Sequence, residues 1–324
     1  MQAIVYHRYG PPDVLELKEI DVPTPADNHV LIRVHNASVN PYDWHFLRGT
    51  PSLFRLFVGL FRPKSPHLGA DVSGEVESVG SKVTRFKPGD YVFGAGKGAF
   101  AQFACAPEDQ LALKPASISF EQAASLPIAA LTALQGLRDS ARLQPGQSIL
   151  INGAAGGVGT FAVQIAKQMG ANVTGVCSTR NVDLVRSLGA DNVIDYTRED
   201  FTRSGRRYDA IFDLVGNHSL SDIRRVLVPR GVLVPCGGGS PERTSLEILA
   251  PMLGYSVAAY FIPQRITGLL AKVNTEDLRH IAALVEAGSI NPVLDRIFPL
   301  AETADAIRYI EQGHARGKVI ISIA

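Results

Sequence analysis

The residues with the clearest chemical potential are the glycines of the stretch NGAAGGVG, namely Gly153, Gly156, Gly157 and Gly159. They follow a short apolar run, residues 149–151, and precede a segment whose apolar residues recur at helical spacing. A pyrophosphate needs backbone N–H groups and the positive end of a helix dipole at close range, and glycine allows this because it has no side chain. Although Ala154 replaces the first glycine of the usual G-x-G-x-x-G pattern, the stretch predicts a strand, a phosphate-binding turn and a helix. We therefore expect a dinucleotide site here.

The residues after the next apolar run, 172–176, indicate which dinucleotide binds. Folds that prefer NAD place an Asp or Glu there to hold the ribose 2′-hydroxyl, whereas this chain continues with Cys177, Ser178, Thr179 and Arg180. Two hydroxyls can donate to a 2′-phosphate, and a guanidinium can pair with it through two parallel hydrogen bonds. The pattern favours NADPH; the alternative is that Arg180 is only a solvated loop residue.

The composition is that of a globular protein with a small-molecule partner. At 324 residues the chain exceeds the size at which one core usually suffices, so we expect two domains. The net charge of +1 and the lack of a basic stripe argue against nucleic acid as a partner. The longest uncharged apolar stretch, residues 248–263, is shorter than the roughly 20 residues of a spanning helix. Because it also contains Pro251, it predicts buried helix and strand, with no membrane span.

The cysteines and the first residues bear on the compartment. Cys105, Cys177 and Cys236 are far apart in sequence, so a disulfide framework is not expected and a reducing environment is favoured. Residues 1–6 predict a strand and not a secretion signal. We therefore expect the protein in the cytoplasm.

Two regions of the chain differ in sequence pattern, and together they predict an α/β fold class. Residues 1–121 contain short alternating runs separated by frequent Gly and Pro, which is typical of a β-rich barrel or sandwich. From residue 148 strands and helices alternate, which is typical of a doubly wound parallel sheet. Between them, Pro127 interrupts a helical stretch and predicts a kink or two helices. The last predicted strand, residues 319–323, can complete either domain.

The same alternation places further residues at one edge of the predicted sheet. It predicts strands at 192–194, 210–214, 232–235 and 295–298, and helices at 182–188, 220–227, 276–287 and 301–312. Val215 and Gly216 follow one strand, and residues 236–239 follow the next. Since ligands of open α/β sheets bind at the carboxyl ends of the strands, these residues are candidate ligand contacts.

Motifs along the whole chain resemble the medium-chain dehydrogenase/reductase superfamily, and within it the zinc-independent quinone oxidoreductase branch. The resemblance is carried by GPPDVLEL (10–17), SVNPYDW (38–44), GADVSGEVESVG (69–80), FKPGDYV (86–92), NGAAGGVG, LGADNVIDY (188–196) and GKVIISI (317–323). It implies a GroES-like catalytic domain at residues 1–124, completed by 262–324, and a Rossmann NADP(H)-binding domain at 125–261. It also implies a cleft between the domains where hydride leaves the nicotinamide, and assembly as a homodimer or tetramer, of which the homodimer is the expectation.

The resemblance assigns site residues one by one. It implies that Asn40 and Asp43 contact the nicotinamide and its ribose; the alternative is that they only start a turn and cap a helix. The cofactor contacts that it implies are Thr132, Gly156, Gly157, Val158, Ser178, Arg180, Tyr196, Val215, Gly216, Gly237 and Lys318.

The positions of the family's metal ligands predict that no metal binds. The metal-dependent dehydrogenases have a Cys near Asn40 and a Gly-His-Glu where this chain has Gly69, Ala70 and Asp71. A catalytic zinc needs three ligands of the Cys, His or carboxylate type. Lone histidines such as His45 and His67 are more often packing or surface residues.

Two features depart from the family pattern. Where many relatives have a Tyr two places beyond the Asp, this chain has His45, with Tyr42 before the Asp; one of the two is a candidate to donate a proton or to orient the substrate. The insertion Thr50 to Pro66 is rich in apolar residues and is either a lid over the cleft or a helix packed on the barrel.

Without a metal, hydride must pass to a substrate that is already electrophilic. The chain is therefore expected to be a zinc-independent, NADPH-dependent oxidoreductase that reduces a quinone or an α,β-unsaturated carbonyl. The alternatives are a zinc-free NADP-dependent alcohol dehydrogenase or ketone reductase, and a non-catalytic NADPH-binding sensor.

Overall fold

The computed structural model describes residues 1–237, 247, 254–255 and 262–323. Within them the chain forms two compact units, the first made of Met1–Leu131 and Lys272–Ala324 and the second of Thr132–Ala271. The unit boundaries after residues 131 and 271 lie later in the chain than the expected domain boundaries after residues 124 and 261. The predicted helix and strand within 248–263 lie almost entirely outside the described residues, as do residues 238 and 239 of the last glycine run.

The strands, in chain order, are β1 Gln2–Val5, β2 Glu16–Glu19, β3 His29–Val39, β4 Asp71–Val79, β5 Tyr91–Ala95, β6 Phe103–Pro107, β7 Leu111–Leu113, β8 Ser148–Asn152, β9 Asn172–Cys177, β10 Asn192–Asp195, β11 Tyr208–Asp213, β12 Leu227–Pro235, β13 Arg265–Ile266, β14 Leu294–Pro299 and β15 Lys318–Ser322. The α-helices described are α1 Pro41–Arg48, α2 Arg55–Val58, α3 Phe120–Ala124, α4 Pro127–Gln135, α5 Gly157–Gln168, α6 Val182–Ser187, α7 Leu220–Arg225, α8 Thr275–Glu286 and α9 Thr303–Glu311. Most predicted elements are present, with ends shifted by a few residues.

The first unit is built on a seven-stranded sheet in the order β14-β15-β3-β4-β5-β7, with β6 paired to β3. Strand β3 is central because it pairs antiparallel with β15, β4 and β6. Its alternate residues bury one face against an apolar core that includes Val72, Phe100 and Ile321. The last strand, which the sequence left open, therefore belongs to the first unit and joins the N-terminal and C-terminal segments.

Pro127 separates two helices. This confirms the second of the two alternatives predicted from the sequence, a kink or two helices. Helix α3 starts with a capping box in which Ser119 accepts the amide of Gln122, and it ends before Pro127 begins α4. Proline suits the first turn of a helix, where its missing N–H is not needed. The carbonyl of Phe120, at the start of α3, accepts the Ser73 hydroxyl of β4 at 2.6 Å, which fixes the helix on the sheet.

The second unit is a parallel sheet in the order β10-β9-β8-β11-β12-β13. Numbered within the unit, this order is 3-2-1-4-5-6, that of a Rossmann fold, and it confirms the predicted doubly wound sheet. Every strand ends at the same edge, and the order reverses between β8 and β11. That reversal is where nucleotides bind in folds of this kind.

One expected boundary differs in a way that the pairing explains. Residues 262–271 were expected to complete the GroES-like domain, but Arg265 and Ile266 pair in parallel with Val232 and Leu233 of β12. The Arg265 guanidinium also donates to the carbonyl of Ser140 at 3.0 Å, within the second unit. A two-residue edge strand is too short to leave a pattern in the sequence, so this segment could not be assigned from sequence.

We expect Gly159→Ala to destabilise the second unit. A Cβ at Gly159 would lie 2.1 Å from the carbonyl oxygen of Gly153 and 2.8 Å from the backbone of Ala154, so the turn itself would have to move. Overpacking of this kind costs about 1–3 kcal/mol. Gly156→Ser is the matched control, because a Cβ there meets only the Gly153 carbonyl, at 3.4 Å. Urea and thermal unfolding measure the difference, and equal midpoints for the two variants would contradict this account.

Candidate functional site: a glycine-capped helix and a buried charge cluster

The glycine turn of the second unit presents the start of α5 at the carboxyl edge of the sheet. Gly153 has φ +88°, and its N–H and that of Ala154 both donate to the carbonyl of Val176 in β9, at 3.2 and 3.0 Å. Gly156 is the N-cap residue of α5 and supplies no side chain to cap the first amides. These amides and the dipole of a twelve-residue helix therefore offer positive charge to a ligand.

A buried carboxylate that sequence analysis missed shapes the neighbouring loop. Asp213, the last residue of β11, is 1% exposed and accepts the amides of Val215 and Gly216 at 3.1 and 2.9 Å. The same oxygen accepts the side-chain amide of Asn152, at the end of β8, at 2.9 Å. Asp213 thus joins the ends of the two strands that flank the switch point. The sequence does show an Asn and an Asp at the ends of two buried strands, but β9 and β10 lie between these strands in the chain, so only the sheet order shows that the two residues meet.

The residues predicted to select the cofactor lie after β9, beside an acid from the next strand. Ser178 Oγ accepts from the side chain of Asn181 at 3.3 Å, so its own proton remains available to another acceptor. Thr179, expected to face a 2′-phosphate, instead donates to Asp195 at 2.5 Å. Hydrogen bonding by Thr179 and Thr197 lowers the pKa of Asp195, so this carboxyl is charged at neutral pH. No acid follows β9, as the sequence shows, but Asp195 at the end of β10 brings one beside these residues.

The other predicted cofactor contacts follow strands of the same sheet. Tyr196 comes directly after β10 and is 56% exposed, and Val215 is 41% exposed after β11. Gly237 follows β12, and its amide donates to the carbonyl of Asp213 at 3.1 Å. Thr132 belongs to the second unit as well, but it is buried in α4, at 7% exposure.

These residues fit NADPH. The glycine cradle leaves room at the helix N-terminus for a pyrophosphate, since a Cβ at Gly156 would occupy open space apart from its contact with the Gly153 carbonyl. Arg180 and Ser178 supply a cation and a hydroxyl at the strand end where a ribose phosphate is recognised in such folds. The turn therefore has the groups that a dinucleotide requires.

The first unit contains a buried polar cluster that joins three strands of its sheet. Lys318 at the start of β15 is 3% exposed, and its ammonium donates to Asn40 Oδ1 at 2.6 Å. Asn40 in turn donates through Nδ2 to Asp71 of β4 at 2.9 Å and to the carbonyl of Ser38 at 3.2 Å. The ammonium lies 3.6 Å from the Asp71 carboxylate, which is 0% exposed. Burial is acceptable for these charges because each has an opposite charge and hydrogen bonds.

Asp43 caps the start of α1 from inside the unit. Its carboxylate accepts the amide of Asn40 at 2.8 Å and that of Gly69 at 3.1 Å, and it is fully buried. Burial raises the pKa of Asp43 to about 7, although the two amide donors oppose the rise. The structure thus gives Asn40 and Asp43 the turn-and-cap roles of the alternative reading. Their contact with nicotinamide stays a prediction.

Burial acts on the pKa of the other two charged groups in opposite directions. It raises the pKa of Asp71 and lowers that of Lys318, and the attraction between the two groups opposes both shifts. Asp71 is held further by the amide of Ile128, at 2.9 Å. The ammonium of Lys318 is directed at Asn40 and Asp71, and its predicted contact with the cofactor stays a prediction. In the sequence, Asp71 stands out only as the residue at one of the family's metal-ligand positions.

Tyr42 and His45, the candidate proton donors, lie on α1 with different surroundings. His45 stacks on Trp44 at 3.7 Å, and its Nδ1 lies 2.8 Å from the Thr50 carbonyl, so Nδ1 carries the proton. Burial lowers the pKa of His45, which favours the neutral ring. Tyr42 is 45% exposed, and partial burial raises the pKa of its hydroxyl, which therefore keeps its proton.

The insertion Thr50 to Pro66 contains a short helix, but this helix is not buried in the core. Residues 55–58 form the single turn of α2, and several of its apolar side chains are exposed. The alternative of a helix packed on the barrel is therefore wrong for these side chains, and the lid stays a prediction.

No group of three or more His, Cys, Asp or Glu side chains in the described part of the chain is arranged to hold a metal ion. Of the positions compared with zinc ligands, two are occupied by Asn40 and Ala70, and the third by Asp71, whose carboxylate lies 3.6 Å from the Lys318 ammonium. Among the described helices, none is long and apolar enough to cross a membrane.

Family models match both units. Residues 26–116 match the alcohol dehydrogenase GroES-like domain, and residues 188–321 match a family described as zinc-binding dehydrogenase. The first model spans β3 to β7 of the first unit, and the second runs from β10 of the second unit into β15 of the first.

Individual relatives match along the whole length. The chloroplast envelope quinone oxidoreductase homolog of Arabidopsis thaliana is 34% identical over 99% of this chain and 98% of its own. The chloroplastic NADPH-dependent alkenal/one oxidoreductase of the same plant is 34% identical over 99% of this chain and 79% of its own. The solved quinone oxidoreductase of Coxiella burnetii superposes with a TM-score of 0.85 at 35% identity, over 100% of this chain and 99% of that one.

A GroES-like unit and a Rossmann unit in one chain define a two-domain dehydrogenase/reductase. The chain belongs to the medium-chain dehydrogenase/reductase superfamily, in the branch formed by its quinone oxidoreductase relatives, which confirms the resemblance seen in the sequence.

We expect Lys318→Met to destabilise the protein more at pH 8 than at pH 5. Asp71 has a folded-state pKa above its unfolded value, so the folded state holds its proton more tightly and stability is lost as pH rises from about 4 through the folded pKa. Loss of the ammonium raises that pKa further and leaves an unpaired buried charge at pH 8, which costs about 3–5 kcal/mol. Urea midpoints at both pH values measure the effect.

The control is the double variant Lys318→Met/Asp71→Asn, in which no unpaired carboxylate remains at position 71. It should lose less stability than Lys318→Met at pH 8 and show a weaker dependence on pH. The same loss at pH 5 and pH 8 for the single variant would show that the ion pair does not explain the role of Lys318.

Proposed function

We propose that the chain is an NADPH-dependent oxidoreductase that transfers hydride to a quinone or to an α,β-unsaturated carbonyl. The observation that carries the proposal is the glycine-capped N-terminus of α5 at the switch point of a 3-2-1-4-5-6 parallel sheet. The names of the relatives, quinone oxidoreductase and NADPH-dependent alkenal/one oxidoreductase, support the acceptor class. We assign NADP(H) binding to the second unit and catalytic side chains to the first.

The reaction requires two electrons and two protons for a quinone. When bound, NADPH supplies a hydride, which carries both electrons and one proton, and the second proton comes from a side chain or from solvent. For an enone, hydride adds to the β-carbon and the proton adds to the α-carbon or the oxygen. Both acceptors are electrophilic without a Lewis acid, which agrees with Asn40 and Ala70 at the positions compared with metal ligands.

In this proposal the chain's own residues bind the cofactor, orient the groups around it and supply a proton to the substrate. The first amides of α5 hold the pyrophosphate, and Ser178 and Arg180 hold the 2′-phosphate. Asn40 is a positioning residue, because Lys318, Asp71 and Ser38 together occupy both ends of its amide. Val215, Gly216 and Gly237 shape the backbone at the carboxyl edge.

For assembly and compartment we propose a cytoplasmic homodimer. The support for the compartment is that Cys105, Cys177 and Cys236 are free thiols, which a reducing environment preserves. The support for the dimer is the family resemblance, which implies pairing through an edge of the Rossmann sheet.

We expect the purified protein to oxidise NADPH rapidly on addition of 1,2-naphthoquinone or of 2-hexenal, and to use NADH poorly. Arg180→Ala should raise the NADPH KM about 10- to 100-fold, the value of one or two hydrogen bonds between charged groups, and leave the NADH KM unchanged. Gly156→Ser should weaken the binding of both NADPH and NADH, because the introduced hydroxyl would accept from the first α5 amides in place of the pyrophosphate. NADPH absorbance and direct binding by fluorescence measure these changes.

Arg186→Ala is the matched control, since Arg186 lies nearby on α6 and forms only an exposed ion pair with Asp183 at 3.7 Å. NADPH binding without turnover on either acceptor would overturn the reductase and favour the sensor. An equal KM change for NADH in Arg180→Ala would overturn the assignment of the 2′-phosphate.

Between the two candidate proton donors, we expect Tyr42 to matter more than His45. The Tyr42 hydroxyl is half-exposed and protonated, whereas the Nδ1 proton of His45 is committed to Thr50 and its ring is neutral. Tyr42→Phe should lower kcat on enones about tenfold or more and change its pH profile, because general acid catalysis contributes about 10²–10⁴-fold. His45→Gln is the comparison. Unchanged kcat and pH profile in Tyr42→Phe would exclude this role.

A further inference from the structure

Five exposed large apolar side chains of the first unit lie in one short segment, and they include the two most exposed side chains of this kind among the described residues of that unit. We call this surface the α2 patch, and it consists of Leu53 (55% exposed), Leu56 (58%), Phe57 (73%), Leu60 (51%) and Phe61 (90%). Single exposed apolar residues are ordinary on protein surfaces, but a contiguous apolar patch marks an interaction site. Five such residues within nine positions form a patch of this kind.

The backbone beneath the patch is held in place, so the side chains face outward from a fixed loop. The hydroxyl of Tyr9 donates to the carbonyl of Gly59 at 2.6 Å. The guanidinium of Arg55 donates to the carbonyls of Gly49 and Arg48 at 3.0 and 2.9 Å and lies over the Tyr9 ring at 4.6 Å. Apolar exposure here is therefore a property of the fold.

Within the segment that carries the patch, the charged side chains are all basic, and the Glu311 carboxylate of α9 is paired with Arg48, whose carbonyl accepts Arg55. No Asp or Glu occurs between Asp43 and Asp71, both of which are buried, whereas Arg62 and Lys64 directly follow the patch and are exposed. Phe and Leu side chains flanked by basic residues are the combination that binds the interface of an anionic bilayer, where apolar groups enter the acyl boundary and cations meet the headgroups.

We propose that the α2 patch docks the protein on the surface of a membrane that contains anionic lipids. Phe57, Phe61 and the leucines insert at the headgroup boundary, and Arg62 and Lys64 pair with lipid phosphates. Docking gives the enzyme access to acceptors dissolved in the bilayer; this consequence, unlike the docking itself, rests on the proposed function.

Co-sedimentation with vesicles tests the proposal without turnover. The wild-type protein should bind vesicles of phosphatidylglycerol and phosphatidylcholine, and bind pure phosphatidylcholine about tenfold more weakly, since each basic residue at an anionic surface contributes several-fold. Phe57→Glu/Phe61→Glu and, separately, Arg62→Glu/Lys64→Glu should each reduce binding about tenfold or more. Leu270→Glu is the matched control, because Leu270 is 87% exposed and lies outside the patch. Circular dichroism and thermal midpoints verify that each variant is folded.

Three results would overturn the proposal. The first is equal binding of the wild type and Phe57→Glu/Phe61→Glu to anionic vesicles. The second is a wild-type oligomer that Phe57→Glu/Phe61→Glu dissociates in analytical ultracentrifugation, which would make the patch an interface between copies. The third is absence of vesicle binding together with a raised KM of that variant for a water-soluble quinone, which would make the patch a substrate-binding lid. Failure of the reductase assay with intact vesicle binding would overturn the proposed function alone.

Discussion

The first unit depends on one buried ion pair and the amide between its partners. A charge buried away from water is costly unless it is paired and hydrogen-bonded, and Lys318 meets both conditions through Asp71 and Asn40. These three residues come from β15, β4 and the start of α1, which are far apart in sequence. The position of the C-terminal strand therefore follows from chemistry as much as from apolar packing. An alternative partner strand would leave an unpaired ammonium and an unpaired carboxylate behind.

In the second unit a buried carboxylate also joins separate segments, but its partners are neutral amide groups and not a cation. Asp213 gathers two loop amides and the side-chain amide of Asn152, so the strand ends on either side of the switch point are held together. In both units a buried Asp fixes backbone amides of a loop: Asp43 holds the amide of Gly69, and Asp213 holds those of Val215 and Gly216, where ligand contacts are expected. Backbone groups that are fixed before binding lose little entropy when a ligand arrives, which is the advantage of preorganisation.

The sequence predicted the parts of this structure that depend on local pattern. Strand and helix alternation, the glycine turn and the helix break at Pro127 arise from periodicity and backbone preference within short windows, and all are present. What the sequence did not reveal depends on contacts across long separations. Arg265 and Ile266 join the Rossmann sheet through only two residues, and the pairing of Asp71 with Lys318 spans most of the chain. Residue types alone could not show that Thr179 turns toward Asp195.

That contact of Thr179 changes the physical basis of cofactor selection. Asp195 accepts from Thr179 through one oxygen and from the amide and hydroxyl of Thr197 through the other, at 3.0 and 2.7 Å, so its charge is stabilised within the strand-end loop. A 2′-phosphate in this region would experience repulsion from that charge, and Thr179 has no second hydroxyl proton to offer. On the proposed assignment of the 2′-phosphate, selection of NADPH then rests on Arg180 and Ser178. The guanidinium would have to outweigh both the nearby carboxylate and the cost of removing the phosphate from water, so the proposal makes Arg180 the residue on which the cofactor preference depends most.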